Sequence, residues 1–70
     1  MNITASLRHC ASYKVRRFKL RNNADYDSMA RQIGMPSSDL YNIEHNPNGK
    51  NGVAAPSDGR IKQILEWGWR

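Results

Sequence analysis

Cysteine occurs once in these seventy residues, at Cys10, so no internal disulfide framework forms and a reducing compartment is the expected home. No apolar run approaches the roughly 20 residues of a membrane-spanning helix. Residues 1–12 place no apolar core behind a basic flank, so no secretory signal is expected and a cytoplasmic location follows by default. Three prolines and five glycines cut the chain into short elements, with no room for a catalytic cleft and its scaffold together. Metal ligands are scarce. His9, Cys10 and His45 stand in two separated places, with no Cys-x-x-Cys or His-x-x-x-His pair, so neither a metal nor another cofactor is expected. Nor do they make a nucleophile pair, because adjacent side chains on a helix diverge and no oxyanion donor accompanies them. No enzymatic activity is expected.

What the chain does have is positive charge, unevenly spread. Eleven Lys and Arg against six Asp and Glu give a net +5. Residues 1–24 carry Arg8, Lys14, Arg16, Arg17, Lys19 and Arg21 and no acid. Residues 25–49 set Arg31 against Asp25, Asp27, Asp39 and Glu44, and residues 50–70 return to a positive balance. Such a balance suits a polyanion, an acidic protein or a membrane surface. The length predicts one domain over 1–70, and a domain of that size buries only about 60% of its unfolded surface.

Apolar spacing predicts four helices. Leu7, Cys10, Ala11, Val15 and Phe18 recur at three and four, which gives a helix from about Thr4 to Arg21, with Asn2, Thr4, Ser6 or the later Ser12 as its cap. Asn22 and Asn23 end it. Asp25 then caps a second helix, on which Met29, Ala30 and Ile33 share a face and which Gly34 stops. A third runs from Pro36 or Ser37 to about His45, with Leu40 and Ile43 inward. Either Pro36 holds its first position or Ser37 caps it. Two Asn-Gly pairs make 46–55 a loop or short hairpin. Pro56, Ser57 and Asp58 open a last helix with Ile61, Ile64 and Leu65 on one face, and Gly68 weakens its end.

The stretch from Tyr26 to His45 has the packing pattern of a helix-turn-helix, in which the small Ala30 lets two helices cross closely. In register with it stand Val15, Phe18 and Lys19, Met29-Ala30, Gly34, Leu40, Ile43 and Glu44, then Pro56-Ser57 followed by Ile61 and Ile64. On these positions, from residue 15 to about 67, the chain resembles the lambda-repressor-like, Cro/CI-type helix-turn-helix family. The resemblance implies an all-α, compact four- to five-helix helix-turn-helix domain that inserts its third helix into a DNA major groove. Here the loop from Glu44 to Pro56 is longer than in the family, the family's fifth helix has no counterpart, and Pro36 replaces a Ser or Thr cap.

The resemblance assigns Ser37, Ser38 and Asn42 to base edges. Asn42 can pair bidentately with adenine; the alternative is a plain polar surface residue. The alternative for Ser37 or Ser38 is to cap the helix. Asp39 would repel phosphate unless it accepts from a cytosine amine, and is otherwise solvated. Tyr26, at the start of helix two, reaches phosphate or packs on helix three. Asn46, Asn48, Lys50 and Arg60 flank the third helix as further phosphate contacts, and Arg16, Arg17 and Arg21 add to the general field. The register also sets Lys19 against Glu44 as a partly buried ion pair.

The implied function is a sequence-specific double-stranded DNA-binding transcriptional regulator of the phage or mobile-element type, a repressor acting as two copies on a palindromic operator. Two rival functions fit the same residues: an antitoxin that holds a toxin through its basic first helix or its Trp end, and a small basic protein that inhibits or scaffolds a partner protein. Without a fifth helix, Ile64, Leu65 and Trp67 need a cover. The candidates are the turns around Ile3 and Leu7, or a second copy meeting at Trp69, and the sequence favours the symmetric Trp69 contact and a homodimer weak in solution.

Overall fold

The computed structural model describes residues 3–68. Four helices form in chain order, α1 (Ala5–Asn22), α2 (Tyr26–Ile33), α3 (Ser37–His45) and α4 (Asp58–Glu66). The chain is all-α, and no fifth helix occurs among the described residues.

Three of the four helices start on a local cap. Thr4 Oγ1 accepts from the Leu7 N–H, Asp25 Oδ1 from Ser28 and Ser57 Oγ from Arg60. Each is a short polar side chain in extended backbone, able to satisfy a donor that the first turn leaves open. The exception is α3. Pro36 stands just outside it with no side-chain cap, so Pro36 is not the first helical residue and Ser37 is not the cap. Ser12 likewise caps nothing in α1; it lies buried in mid-helix.

The C-termini are finished differently. α1 and α2 end on left-handed residues, Asn23 at φ 48° and Gly34 at φ 86°, which return N–H groups to Lys19 and Ala30 carbonyls. Beyond these, side chains from other helices close the carbonyl ends. Gln63 of α4 donates to the Ile33 and Gly34 carbonyls at 3.0 and 3.3 Å. Ser12 of α1 donates to the Glu44 carbonyl near the end of α3 at 2.6 Å. Lys14 of α1 donates to the Leu65 and Trp67 carbonyls at the end of α4, at 3.2 and 2.5 Å. A cation there also suits the helix dipole. Partial burial holds the Lys14 ammonium below its ordinary pKa.

The core is one cluster of Ala11, Val15, Phe18, Met29, Ala30, Met35, Leu40, Ile43, Ile61 and Ile64. Its inward stripe on α1 is Ala11, Val15 and Phe18. Cys10, placed on that stripe by its spacing, is exposed, because one residue turns the helix by about 100°. The C-terminal end of the core is covered from within the same chain. The Trp67 ring lies against Phe18 with centroids 4.6 Å apart, and the Lys14 ammonium sits 5.9 Å from the Trp67 ring centroid. Ile3 packs on the cluster too, but no described contact sets it or Leu7 against Trp67. The need for a second copy to cover Trp67 is thereby removed. Trp69 and Asn2 lie outside the described residues.

Between α3 and α4, the Lys50 and Val53 backbones exchange hydrogen bonds of 3.0 and 2.9 Å around Asn51-Gly52. One guanidinium gathers both ends of this loop. Arg8 donates to the Pro47 carbonyl at 3.2 Å and the Pro56 carbonyl at 2.6 Å, and pairs with Asp58. No described helix is long and apolar enough to cross a membrane.

Candidate functional site

The outward side of α3 is the candidate site. Leu40, Ile43 and Glu44 turn inward and are buried, which leaves Ser38 and Tyr41 exposed and Ser37 and Asn42 half-buried. Ser38, Tyr41, Asn42 and His45 follow the three-and-four spacing of one helix face. The side chains of Ser37, Ser38 and Asn42 make no hydrogen bond with any described residue. Ser37, Ser38 and Tyr41 also line a shallow groove with Asp25, Tyr26 and Asp27 from the start of α2.

Behind this face lies a lock made from three helices. Glu44, with 3% of its side chain exposed, sits 3.0 Å from Lys19 Nζ of α1 and accepts at 2.6 Å from the Tyr26 hydroxyl of α2. Lys19 also donates to that hydroxyl at 3.0 Å, and Arg16 approaches the other carboxylate oxygen at 3.6 Å. Burial pushes the Glu44 carboxyl up, but the Tyr26 hydroxyl and the Lys19 ammonium outweigh it and hold the pKa below the ordinary value. Hydrogen bonds to Tyr26 and then Glu44 raise Lys19. Burial first, then the Glu44 carboxylate, raises the Tyr26 phenol. Each group is thus held in the ionisation state that the lock uses.

Tyr26 is therefore a packing residue rather than a phosphate-reaching hydroxyl. Its one proton goes to Glu44, His45 Nε2 lies 2.9 Å away on the other side, and its ring meets Tyr41 edge-on at 5.5 Å. Tyr41 in turn lies against His45, with centroids 4.3 Å apart. Sequence reasoning assigned Tyr41 no role, although its spacing from Ser38 and His45 places it on the same face.

The expected phosphate contacts fall into two groups. Arg60 is committed to Asp39 in the first turn of α3, Nε to Oδ2 at 3.1 Å, so neither is a free charge and Asp39 is not merely solvated. Asn48 holds His9 at 3.3 Å, and the Asn46 backbone closes α3 through its bond to the Asn42 carbonyl. Lys50 has an exposed side chain with no ion pair among the described residues. Ser12 and Arg8, which fix the end of α3 and the loop after it, left no signal in the local sequence, since their partners lie more than thirty residues away.

No family model, curated protein or solved structure matches this chain.

Proposed function

We propose that this chain is a sequence-specific double-stranded DNA-binding protein that reads a major groove with α3, with α2 and α3 forming a helix-turn-helix of the lambda-repressor-like kind. The observation that carries the reading is the outward face of α3. A short helix, locked from behind by Lys19, Tyr26 and Glu44, presents Ser37, Ser38 and Asn42 with their hydrogen-bonding groups unspent. Base recognition needs such groups on a rigid element that fits the groove. Asn42 pairs with adenine and the two serines adapt to neighbouring bases. Tyr41, exposed beside them, adds an apolar edge that suits a thymine methyl. Lys50 supplies attraction to phosphate, and the net charge of +5 supports encounter with a polyanion. A single small module gives modest affinity, so two copies on a palindrome and repression by operator occupancy complete the reading.

A second reading rests on the far side of α1. Tyr13 and Leu20 are 59% and 73% exposed there, and the Arg17 guanidinium lies 5.7 Å from the Tyr13 ring centroid, a basic and apolar stripe facing away from the core. It favours an additional protein partner, as for an antitoxin or a small inhibitor.

Selection of bound duplexes from a random pool tests the first reading. Enrichment of one motif, arranged as two related half-sites, is expected. Failure to retain any duplex at low salt overturns it and leaves the protein-partner reading.

A further inference from the structure

We infer that Asn51 is a site of self-catalysed covalent modification, the conversion of its amide to an aspartyl or isoaspartyl residue, and that the fold protects the chain's other Asn-Gly pair from the same reaction. The chemistry needs only water. The Gly52 backbone nitrogen attacks Asn51 Cγ, a five-membered succinimide closes and ammonia leaves. Water then opens the ring at either carbonyl, giving aspartate or its backbone-extended isomer, with one water consumed and one ammonia released. Asparagine is among the chemically labile residues, and a following glycine presents no Cβ to hinder attack.

Two sequence-identical pairs meet different surroundings. In Asn48-Gly49 the attacking N–H is already spent, donating to the Asn46 carbonyl at 3.0 Å. The Asn48 amide nitrogen is held 3.3 Å from His9 Nε2. The glycine is also enclosed, since a Cβ there would meet the Val53 carbonyl oxygen and the Ala55 nitrogen at 3.1 Å. In Asn51-Gly52 both residues are exposed, neither the Asn51 side chain nor the Gly52 N–H has a partner among the described residues, and nothing lies within 4 Å of a Gly52 Cβ. The nucleophile and the amide are both free at the hairpin tip. The remaining described asparagines precede asparagine, alanine, isoleucine or proline.

The product changes the loop in two ways. A carboxylate appears next to Lys50, and the isoaspartyl form lengthens the turn across which Lys50 and Val53 exchange hydrogen bonds. The modification site itself is independent of the proposed DNA binding. Its consequence rests on that reading: conversion sets a negative charge beside the loop's phosphate contact and weakens duplex binding as the protein ages.

The test is a time course on the full folded chain in warm, neutral buffer, with peptide mapping that separates aspartyl from isoaspartyl products. A parallel sample in concentrated denaturant removes the fold. Position 51 is expected to convert at least several-fold faster than position 48 in the folded chain, with the difference lost in denaturant. Equal rates in the folded chain, faster conversion at Asn48, or the same bias in denaturant would overturn the assignment. In a second arm, N51D is expected to bind duplex several-fold more weakly than the parent. Unchanged duplex binding by N51D with conversion intact overturns the consequence alone, whereas a parent that binds no duplex at all overturns the function proposed above and leaves the site standing.

Discussion

The Tyr26 hydroxyl donates to Glu44 across 2.6 Å, so the first residue of α2 is tied to the penultimate residue of α3. The bond spans the two helices at the ends that the connecting turn does not join. With Lys19 on the same carboxylate oxygen, it fixes α3 against both α1 and α2. A helix fixed in this way has little backbone freedom left to lose if its outward face binds a partner.

If α3 reads bases, Asn42→Ala should cost about 1–3 kcal/mol on the selected site and relax preference at one base. Lys50→Ala should weaken binding to all duplexes alike and reduce the slope of log affinity against log salt by about one. Titrations of selected and scrambled duplexes over a salt series distinguish the two roles. Equal losses on both duplexes for Asn42→Ala would argue against base contact.

The lock also predicts an asymmetry between its partners. Lys19→Met leaves Glu44 buried with its nearest cation gone, and should cost about 3 kcal/mol. Glu44→Gln should cost less, about 1–2 kcal/mol, because the Lys19 head is partly exposed and regains water. Urea denaturation at neutral pH compares them.

Stability should fall on both sides of neutrality. Glu44 titrates below its ordinary value in the folded chain, so its contribution is present above the unfolded carboxyl pKa of about 4.3 and is lost as pH falls through the folded value. Lys19 titrates above its ordinary value, so its contribution is present below about pH 10.4 and is lost as pH rises through the folded value. Tyr26 adds to the alkaline loss in the same sense. Urea midpoints measured against pH should show a flatter acid limb in Glu44→Gln than in the parent; parallel acid limbs would count against the assignment.

Backbone conformation separates two turn residues. Gly34 has φ 86°, and a Cβ there meets only the Gln63 amide at 3.9 Å, so Gly34→Ala should lose about 1–2 kcal/mol from left-handed strain rather than from a clash. Asn23, at φ 48°, is the non-glycine counterpart, and Asn23→Gly should be neutral or stabilising by a few tenths of a kcal/mol. Thermal melts of the two variants should therefore move in different directions or by clearly different amounts.

Arg8→Ala should free the loop without unfolding the helices, since the guanidinium serves carbonyls at 47 and 56 and the Asp58 carboxylate rather than the core. Hydrogen exchange is expected to accelerate at Gly49, Lys50 and Val53, whose N–H groups the folded loop protects, and to stay slow at Val15 and Ile43.

The sequence by itself determined the helices and most of their beginnings. Thr4, Asp25 and Ser57 act on donors three residues ahead, so the signal and the partner lie in the same few letters. Gly34 and Asn23 mark ends for the same local reason. The inward stripe of each helix was legible from its period, although a period cannot tell Cys10 from Ala11 at the edge of a face; the pairing of Lys19 with Glu44 was expected only from the family resemblance. Tertiary structure alone decided how the carbonyl ends are satisfied. Ser12, Lys14 and Gln63 each cap a helix other than their own, and Arg8 gathers a loop that starts 39 residues away. It also turned the Tyr26 hydroxyl inward and brought α1 over Trp67. The physical reason is the chain's directionality. The open N–H groups of a helix start face back toward the residues that precede it, within reach of a short local side chain. The open carbonyls at its end point onward into space that only another part of the folded chain fills.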